Sequence, residues 1–188
     1  MTATPIAMQQ TDALLIVDVQ NDFCPGGALP IARGDEVVAP LNHWINAALE
    51  SGCAIVASRD WHPQHHPSFV SEGGPWPEHC VQDTPGAAIR ADLRLSSDTV
   101  LVSKGTRLDK DQYSAFDETG LAVLLRKLNV KRVIIGGLAL DVCVQATALD
   151  ARRAGFEVAL ILDATRSVDP LKGTAVLQEL EAAGVELI

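Results

Sequence analysis

Short apolar segments alternate with amphipathic segments along the whole chain. The apolar segments lie at residues 13–19, 54–57, 99–102, 132–135, 157–162 and 185–188, and amphipathic segments at 36–51, 121–128, 141–154 and 171–183. Apolar strands that alternate with helices are typical of a parallel sheet covered on both faces. We therefore predict an α/β fold with three layers, α/β/α, and a mainly parallel, Rossmann-like sheet of about six strands.

The chain length fits one domain. Its 188 residues are enough to bury a single core, so we expect one domain over residues 1–188. The stretch of about 60–97 is irregular, rich in Pro and Gly, and holds four of the five histidines. Because long irregular segments in compact domains usually carry function, we expect this region to bind a metal and substrate.

Charge and hydropathy exclude several classes of partner. A net charge of −9 argues against nucleic acid, which needs a basic surface. No apolar run approaches the ~20 residues of a membrane span. The segment from Met1 to Asp12 lacks the features of a secretory signal, and the four cysteines do not suggest a disulfide framework. We therefore expect a cytoplasmic protein that does not bind membranes.

Reactive side chains recur where predicted strands end. Asp18, Asp60, Lys104 and Cys143 each lie at or just after the carboxyl end of a strand. In parallel sheets, ligands bind beyond these ends, so the four side chains should converge on one edge. Chance could place one or two reactive side chains at strand ends. Four with chemically suitable groups indicate a functional site.

Cys143 lies in the first turn of a predicted helix that follows a strand. Unpaired backbone N–H groups and the helix dipole at this position favour a thiolate and lower the thiol pKa. The same N–H groups could bind an oxyanion. An arbitrary cysteine is more often a buried packing residue than a nucleophile. The position of Cys143 at the start of a helix favours the nucleophile.

A cysteine nucleophile needs a group that takes and returns its proton. Histidine is the usual base, and Asp18 is a strong alternative because burial would raise its pKa. Lys104 could stabilise the charged forms of both groups. Taken alone, Asp18 is explained equally well as a turn cap, and Lys104 is explained better as a solvated strand end.

A second cluster comprises Asp60, His62, His66 and His79. Carboxylate and imidazole ligands with open positions suit Zn²⁺, Fe²⁺ or Mn²⁺. Histidines in loops are common, but their clustering after the strand that ends at Asp60 indicates a site for one divalent metal ion, with Zn²⁺ the first choice.

Five motifs together resemble the isochorismatase-like cysteine hydrolases, and among them the nicotinamidases and pyrazinamidases, over nearly the whole chain. The motifs are LLIVDVQNDFCPGG at 14–27, RDWHPQHHPSF at 59–69, GPWPEHCVQDTPGA at 74–87, KGTRLDKDQYSAF at 104–116 and GLALDVCV at 137–144. The resemblance implies the isochorismatase-like hydrolase fold.

The resemblance also implies roles for individual residues. It implies a catalytic triad of Asp18, Lys104 and Cys143, and a metal held by Asp60, His62 and His79, with His66 as a further candidate ligand. It implies a cis peptide before Ala139, with the Ala139 and Cys143 amides binding the oxyanion. It implies a substrate pocket formed by Phe23, Trp76, Tyr113 and Ala139.

The implied reaction is hydrolysis of nicotinamide to nicotinate and ammonia through a cysteine thioester, in NAD salvage, with pyrazinamide as a further substrate. Family members are often homodimers or larger assemblies. Leu140 and Val142 depart from the residues that nicotinamidases often carry, which bears on substrate preference. Alternatives are a related amidase acting on another small amide or an N-carbamoyl compound, vinyl ether hydrolysis, and a non-catalytic scaffold.

Overall fold

A computed structural model describes residues 7–188, so the first six residues of the polar N-terminal segment lie outside it. The strands and α-helices follow each other in the order β1 Asp12–Val17, α1 Val38–Ser51, β2 Ala54–Asp60, β3 Val100–Lys104, α2 Leu121–Lys127, β4 Arg132–Leu138, α3 Gln145–Arg153, β5 Glu157–Arg166, α4 Gly173–Ala182 and β6 Val185–Leu187.

The six strands form one sheet in the order β3-β2-β1-β4-β5-β6. All five neighbouring pairs are parallel, which confirms the predicted α/β sheet. Several strands run further than their apolar segments predict: β2 continues to Asp60, β4 to Leu138 and β5 to Arg166. Their polar carboxyl ends are therefore part of the sheet itself.

The sheet is covered on both faces. Along β1, Leu14 and Ile16 pack into one hydrophobic core, and Leu15 and Val17 pack into another. The first core contains α1, and the second contains α2, α3 and α4. Since successive strand residues point to opposite faces, the continuous apolar sequence of β1 serves both cores. No helix within residues 7–188 is long and apolar enough to cross a membrane.

The long connection from β2 to β3 folds over the carboxyl edge of the sheet. Two isolated bridges lie within it, between His62 and Val81 and between Phe69 and Trp76, and a third joins its Ile89 to Gln20. The Phe69 side chain is fully buried beside the histidine rings, 5.5 Å from His62 and 5.8 Å from His79 between ring centroids. The Phe69 ring thus packs separate parts of this connection against one another.

Candidate active site

The carboxyl ends of the strands bring Asp18, Asp60, Lys104 and Cys143 together. Asp18 follows β1, and Asp60 and Lys104 are partners in the register of β2 and β3. All four side chains are buried. The four side chains therefore lie together at one edge of the sheet, as their positions at strand ends predict.

Lys104 is the centre of this cluster. Its Nζ lies 2.7 Å from Oδ2 of Asp18 and 2.6 Å from Oδ1 of Asp60, and it donates to Sγ of Cys143 at 3.3 Å. Oxygen atoms of Asp18 and Asp60 and the sulfur of Cys143 all lie within 4.8 Å of one another. One buried ammonium therefore contacts a carboxylate, a thiol and a second carboxylate.

Burial governs the protonation of the cluster. It raises the pKa of Asp18 despite the opposing Lys104 ammonium, and it raises the pKa of the Cys143 thiol well above its ordinary value. Burial acts to lower the pKa of Lys104, but the Asp18 and Asp60 carboxylates outweigh it and raise that pKa well above normal. The prediction that the turn lowers the thiol pKa is therefore wrong for the resting site: Lys104 stays charged and Cys143 keeps its proton until a base takes it.

The turn that carries Cys143 is wider than the predicted α-helical start. Residues Leu140–Val144 form a π-helical turn, and α3 follows it. The Val144 N–H donates to the Ala139 carbonyl at 3.0 Å, and the Leu138–Ala139 peptide is cis, as expected. Such wide turns often occur at functional sites.

Gly137 lets this turn lie against the end of β1. Its φ is +125°, and a Cβ there would collide with the backbone of Val17. Only glycine combines this conformation with so close an approach. The strand that leads to Cys143 therefore lies directly beside the strand that leads to Asp18.

A second group of side chains lies on the other side of Asp60. One ligand atom each from Asp60, His62 and His79 lies within 4.8 Å of the others. The Nε2 atoms of His62 and His79 are 3.6 Å and 3.9 Å from Oδ2 of Asp60. Asp60 therefore has one oxygen on Lys104 and the other beside the imidazoles.

The histidines are oriented through their other ring nitrogens. Nδ1–H of His62 donates to the Gly105 carbonyl at 2.9 Å, and Nδ1–H of His79 donates to the Pro77 carbonyl at 2.7 Å. These bonds leave the Nε2 lone pairs to point at Asp60. Hydrogen bonds of this kind are the usual supports of metal-binding histidines.

His66 is placed beside this group. Its ring centroid is 4.3 Å from that of His62, and its Nδ1 is hydrogen-bonded to Oγ of Ser68 at 2.7 Å. The Nε2 atoms of His62 and His66 are both buried without a hydrogen-bond partner. Buried imidazole nitrogens without partners are costly unless a cation binds them, so the donor set fits a divalent metal ion.

A pocket opens beside both groups. Its lining contains the polar residues Asp60, His79, Asp111 and Cys143, together with apolar and aromatic side chains, namely Phe23, Leu29, Ile31, Trp76, Tyr113, Ala139, Val142 and Val168. The Phe23 ring lies 5.5 Å from that of His79, and Nε1 of Trp76 donates to the Tyr113 hydroxyl at 3.0 Å. The sequence-predicted pocket residues thus surround the space next to the thiol.

Residues 12–188 match the family described as the Isochorismatase domain. The chain belongs to the isochorismatase family. It is 38% identical to a nicotinamidase of Escherichia coli (strain K12) over 93% of both chains. A solved pyrazinamidase of Pyrococcus horikoshii in complex with zinc is 48% identical, with a TM-score of 0.92 over 95% of this chain and 98% of the other. A PnC1 structure from L. infantum in complex with nicotinate is 41% identical, with a TM-score of 0.89 over 97% and 96%.

Two residues that sequence reasoning missed hold Asp18 and Asp60 in this isochorismatase-family site, one through a carboxylate and one through the backbone. Ser58 Oγ donates to Oδ1 of Asp18 at 2.6 Å. The Gln20 side chain accepts from the Asp60 N–H and donates to its carbonyl, each at 2.7 Å. Ser58 could have been found because it lies two residues before Asp60 and so faces the same side of β2. Gln20 gave no comparable signal.

Asp111 is a third residue that was missed. It lines the pocket, and one of its carboxylate oxygens lies within 4.8 Å of ring nitrogens of both His62 and His66. Its place in the family-like segment before Tyr113 was the available signal. The pocket therefore carries an acidic group close to the imidazoles.

Proposed function

We propose that this protein hydrolyses nicotinamide to nicotinate and ammonia through a thioester on Cys143, and that it also accepts pyrazinamide. The observation that carries the proposal is the contact of one buried Lys104 with Asp18, Asp60 and Cys143, next to an aromatic-lined pocket. The relatives named above support a nicotinamide-type substrate and a role in NAD salvage.

Asp18 is the proposed general base and acid. It takes the Cys143 proton as the thiolate forms a bond to the carboxamide carbon. It then gives the proton to the amide nitrogen as the carbon–nitrogen bond breaks and ammonia leaves. Water, deprotonated by Asp18, attacks the thioester, and the carbon–sulfur bond breaks to give nicotinate and the thiol. The raised pKa of Asp18 suits a group that exchanges a proton in each half-reaction.

Lys104 has an electrostatic role in this scheme. Its ammonium stabilises the thiolate as negative charge moves from Asp18 to sulfur, since it contacts both groups. The backbone amides of Ala139 and Cys143, which border the pocket, are proposed to bind the oxyanion of the tetrahedral intermediate. The charge is thus compensated at each stage by groups already in place.

Phe23 and Trp76 are proposed to enclose the pyridine ring, with Tyr113 supporting Trp76. Asp60, His62 and His79 would hold the divalent metal, with His66 as a further ligand. When bound, the metal supplies a Lewis-acidic centre for a ring nitrogen or a water. We propose Zn²⁺, because mixed carboxylate and imidazole ligation suits it and a relative is known in complex with zinc.

We further propose that residues 1–188 act as a single catalytic domain, in the cytoplasm, as a homodimer or larger assembly. The family match over residues 12–188 supports the single domain. All four cysteines are free, which suits a reducing compartment. Sedimentation of the purified protein would test the assembly.

Ammonia release tests the function. The wild type should release ammonia from nicotinamide and pyrazinamide in the presence of Zn²⁺, and an N-carbamoyl amide should be a poor substrate. Cys143→Ala should abolish release, while Cys53→Ala, in the residue just before β2, should leave it unchanged. Preference for the N-carbamoyl amide would contradict the substrate, and an active Cys143→Ala would contradict the nucleophile.

A further inference from the structure

The side chain of Asp141 joins the nucleophile turn to the connection between β5 and α4. Its Oδ1 accepts the N–H of Val168 at 2.8 Å, and its Oδ2 accepts the N–H of Asp169 at 2.9 Å. Both carboxylate oxygens are therefore used, and both bonds go to successive backbone amides of one segment. A carboxylate that accepts two N–H groups makes a strong and directional anchor.

The anchored segment forms part of the substrate pocket. Val168 lines the pocket together with Val142 and Cys143, which follow Asp141 directly in the turn. Within the segment, Oδ1 of Asp169 accepts the Leu171 N–H at 3.0 Å, so the connection is folded into a compact local turn. Val168 is 38% exposed and is therefore not fixed in place by burial in the core. Its position depends on the backbone bonds that hold the segment.

We infer that Asp141 is a positioning residue that holds Val168 as the outer wall of the substrate pocket. This inference rests on the proposed amidase function and adds a determinant of substrate fit. The carboxylate belongs to the same turn as the nucleophile, so one side chain links the turn of Cys143 to the segment that carries Val168.

Loss of the Asp141 anchor should affect substrate binding more than the rate of the catalytic step. The nucleophile turn is held independently by backbone bonds to the Ala139 carbonyl, from Val142 at 3.1 Å and Val144 at 3.0 Å. Lys104 and Asp18 contact each other and do not depend on the segment. Loss of the anchor should therefore loosen the wall while the reacting groups stay in place.

Asp141→Asn tests the anchor directly. The variant keeps one acceptor oxygen but points an NH₂ donor at a backbone N–H, so one bond is lost. We expect KM for nicotinamide to rise about tenfold while kcat changes less than about threefold, as expected for loss of one charge-assisted bond that acts on binding. Asp150→Asn, on α3 and paired with the exposed Arg153, is the matched control and should not change KM.

Two further measurements separate positioning from a general structural effect. Amide hydrogen exchange at Val168 and Asp169 should be faster in Asp141→Asn than in the wild type and in Asp150→Asn. Val168→Ala should raise KM to a similar extent, and the double variant should show little additional increase, because both changes remove the same wall.

The outcomes are distinct from those for the catalytic proposal. Exchange needs no substrate, so it reports the anchor even in a protein that does not hydrolyse nicotinamide. Unchanged exchange at Val168 and Asp169 in Asp141→Asn would overturn the inference. So would full additivity of the two KM effects, or a fall in kcat with KM unchanged. Val168→Ala provides the binding test if Asp141→Asn does not fold.

Discussion

Ser58 Oγ donates a hydrogen bond of 2.6 Å to Oδ1 of Asp18, and Lys104 lies 2.7 Å from Oδ2 of the same carboxylate. Each oxygen of the proposed base therefore has its own support. Both contacts lower the pKa of Asp18, against the upward effect of burial. The balance sets how readily Asp18 accepts the proton of Cys143.

Ser58→Ala should move the acid limb of the kcat/KM profile to higher pH. Asp18 must be ionised to take the thiol proton, and loss of the Ser58 bond raises its pKa further. Activity on the acid limb should fall about tenfold, the effect of one hydrogen bond to a charged group. Ser103→Ala, which loses a bond to Arg59 on the neighbouring strand, is the control and should leave the profile in place. An unshifted acid limb in Ser58→Ala would show that Asp18 does not control it.

Lys104→Met should abolish activity and destabilise the fold by about 3–5 kcal/mol, because it leaves two buried carboxylates without their cation. Burial already raises the pKa of Asp18 above its unfolded value, and loss of the ammonium raises it further. The pKa of Asp60, which the Lys104 ammonium holds below its usual range, also rises. The folded variant then binds protons more tightly than the unfolded chain, so its stability should increase as the pH falls from about 7 to about 5. Urea unfolding at both pH values measures this.

The control for Lys104→Met is Lys110→Met. Lys110 is half exposed and pairs with Asp117 and Glu118 in the segment that follows β3. An exposed pair contributes little, so this variant should unfold like the wild type. Equal stability of Lys104→Met and wild type at about pH 7 would contradict the charge balance described for the cluster.

His66→Ala should weaken metal binding about ten- to hundredfold, the usual cost of losing a ligand or its close support. The reason is the buried, unpartnered Nε2 of His66 beside His62. His65→Ala is a matched control, because the neighbouring His65 is 82% exposed and pairs with Glu72. Competition between each protein and a chromophoric chelator for Zn²⁺ gives the affinities. Equal affinities for the two variants would remove His66 from the site.

Tyr113→Phe should raise KM for nicotinamide about two- to fivefold without changing kcat, because it removes the hydrogen bond that orients Trp76. The aromatic ring of residue 113 is retained, so the pocket keeps its shape. Steady-state kinetics with nicotinamide and pyrazinamide measure the effect. A fall in kcat at constant KM would instead place the Tyr113 hydroxyl near the reacting atoms.

The sequence alone was enough to predict the position of the site residues that lie at strand ends. Asp60 and Lys104 end neighbouring parallel strands, and their register pairs them directly. Asp18 could be assigned to the same edge because parallel strands end together. Local pattern and one topological rule were enough for this part of the site.

The depth of burial and the long-range contacts could not be predicted from local sequence patterns. The thiol pKa of Cys143 was expected to fall at a helix start, but the depth of burial, which a sequence does not display, reverses the shift. The π-helical turn depends on how β4 meets β1 at Gly137. The bonds of Gln20 and Ser58 join residues 40 positions apart, so only the folded chain reveals them.

β3 is the outermost strand on one side of the sheet, has five residues and is only partly covered, yet it ends in Lys104. Strands at an edge exchange and open more readily than central ones. Detachment of β3 alone would withdraw the ammonium from Asp18, Asp60 and Cys143 while the rest of the sheet stayed paired. In mild denaturant, the enzyme should therefore lose activity through local opening at this edge. This loss should occur at denaturant concentrations below those that unfold the whole chain.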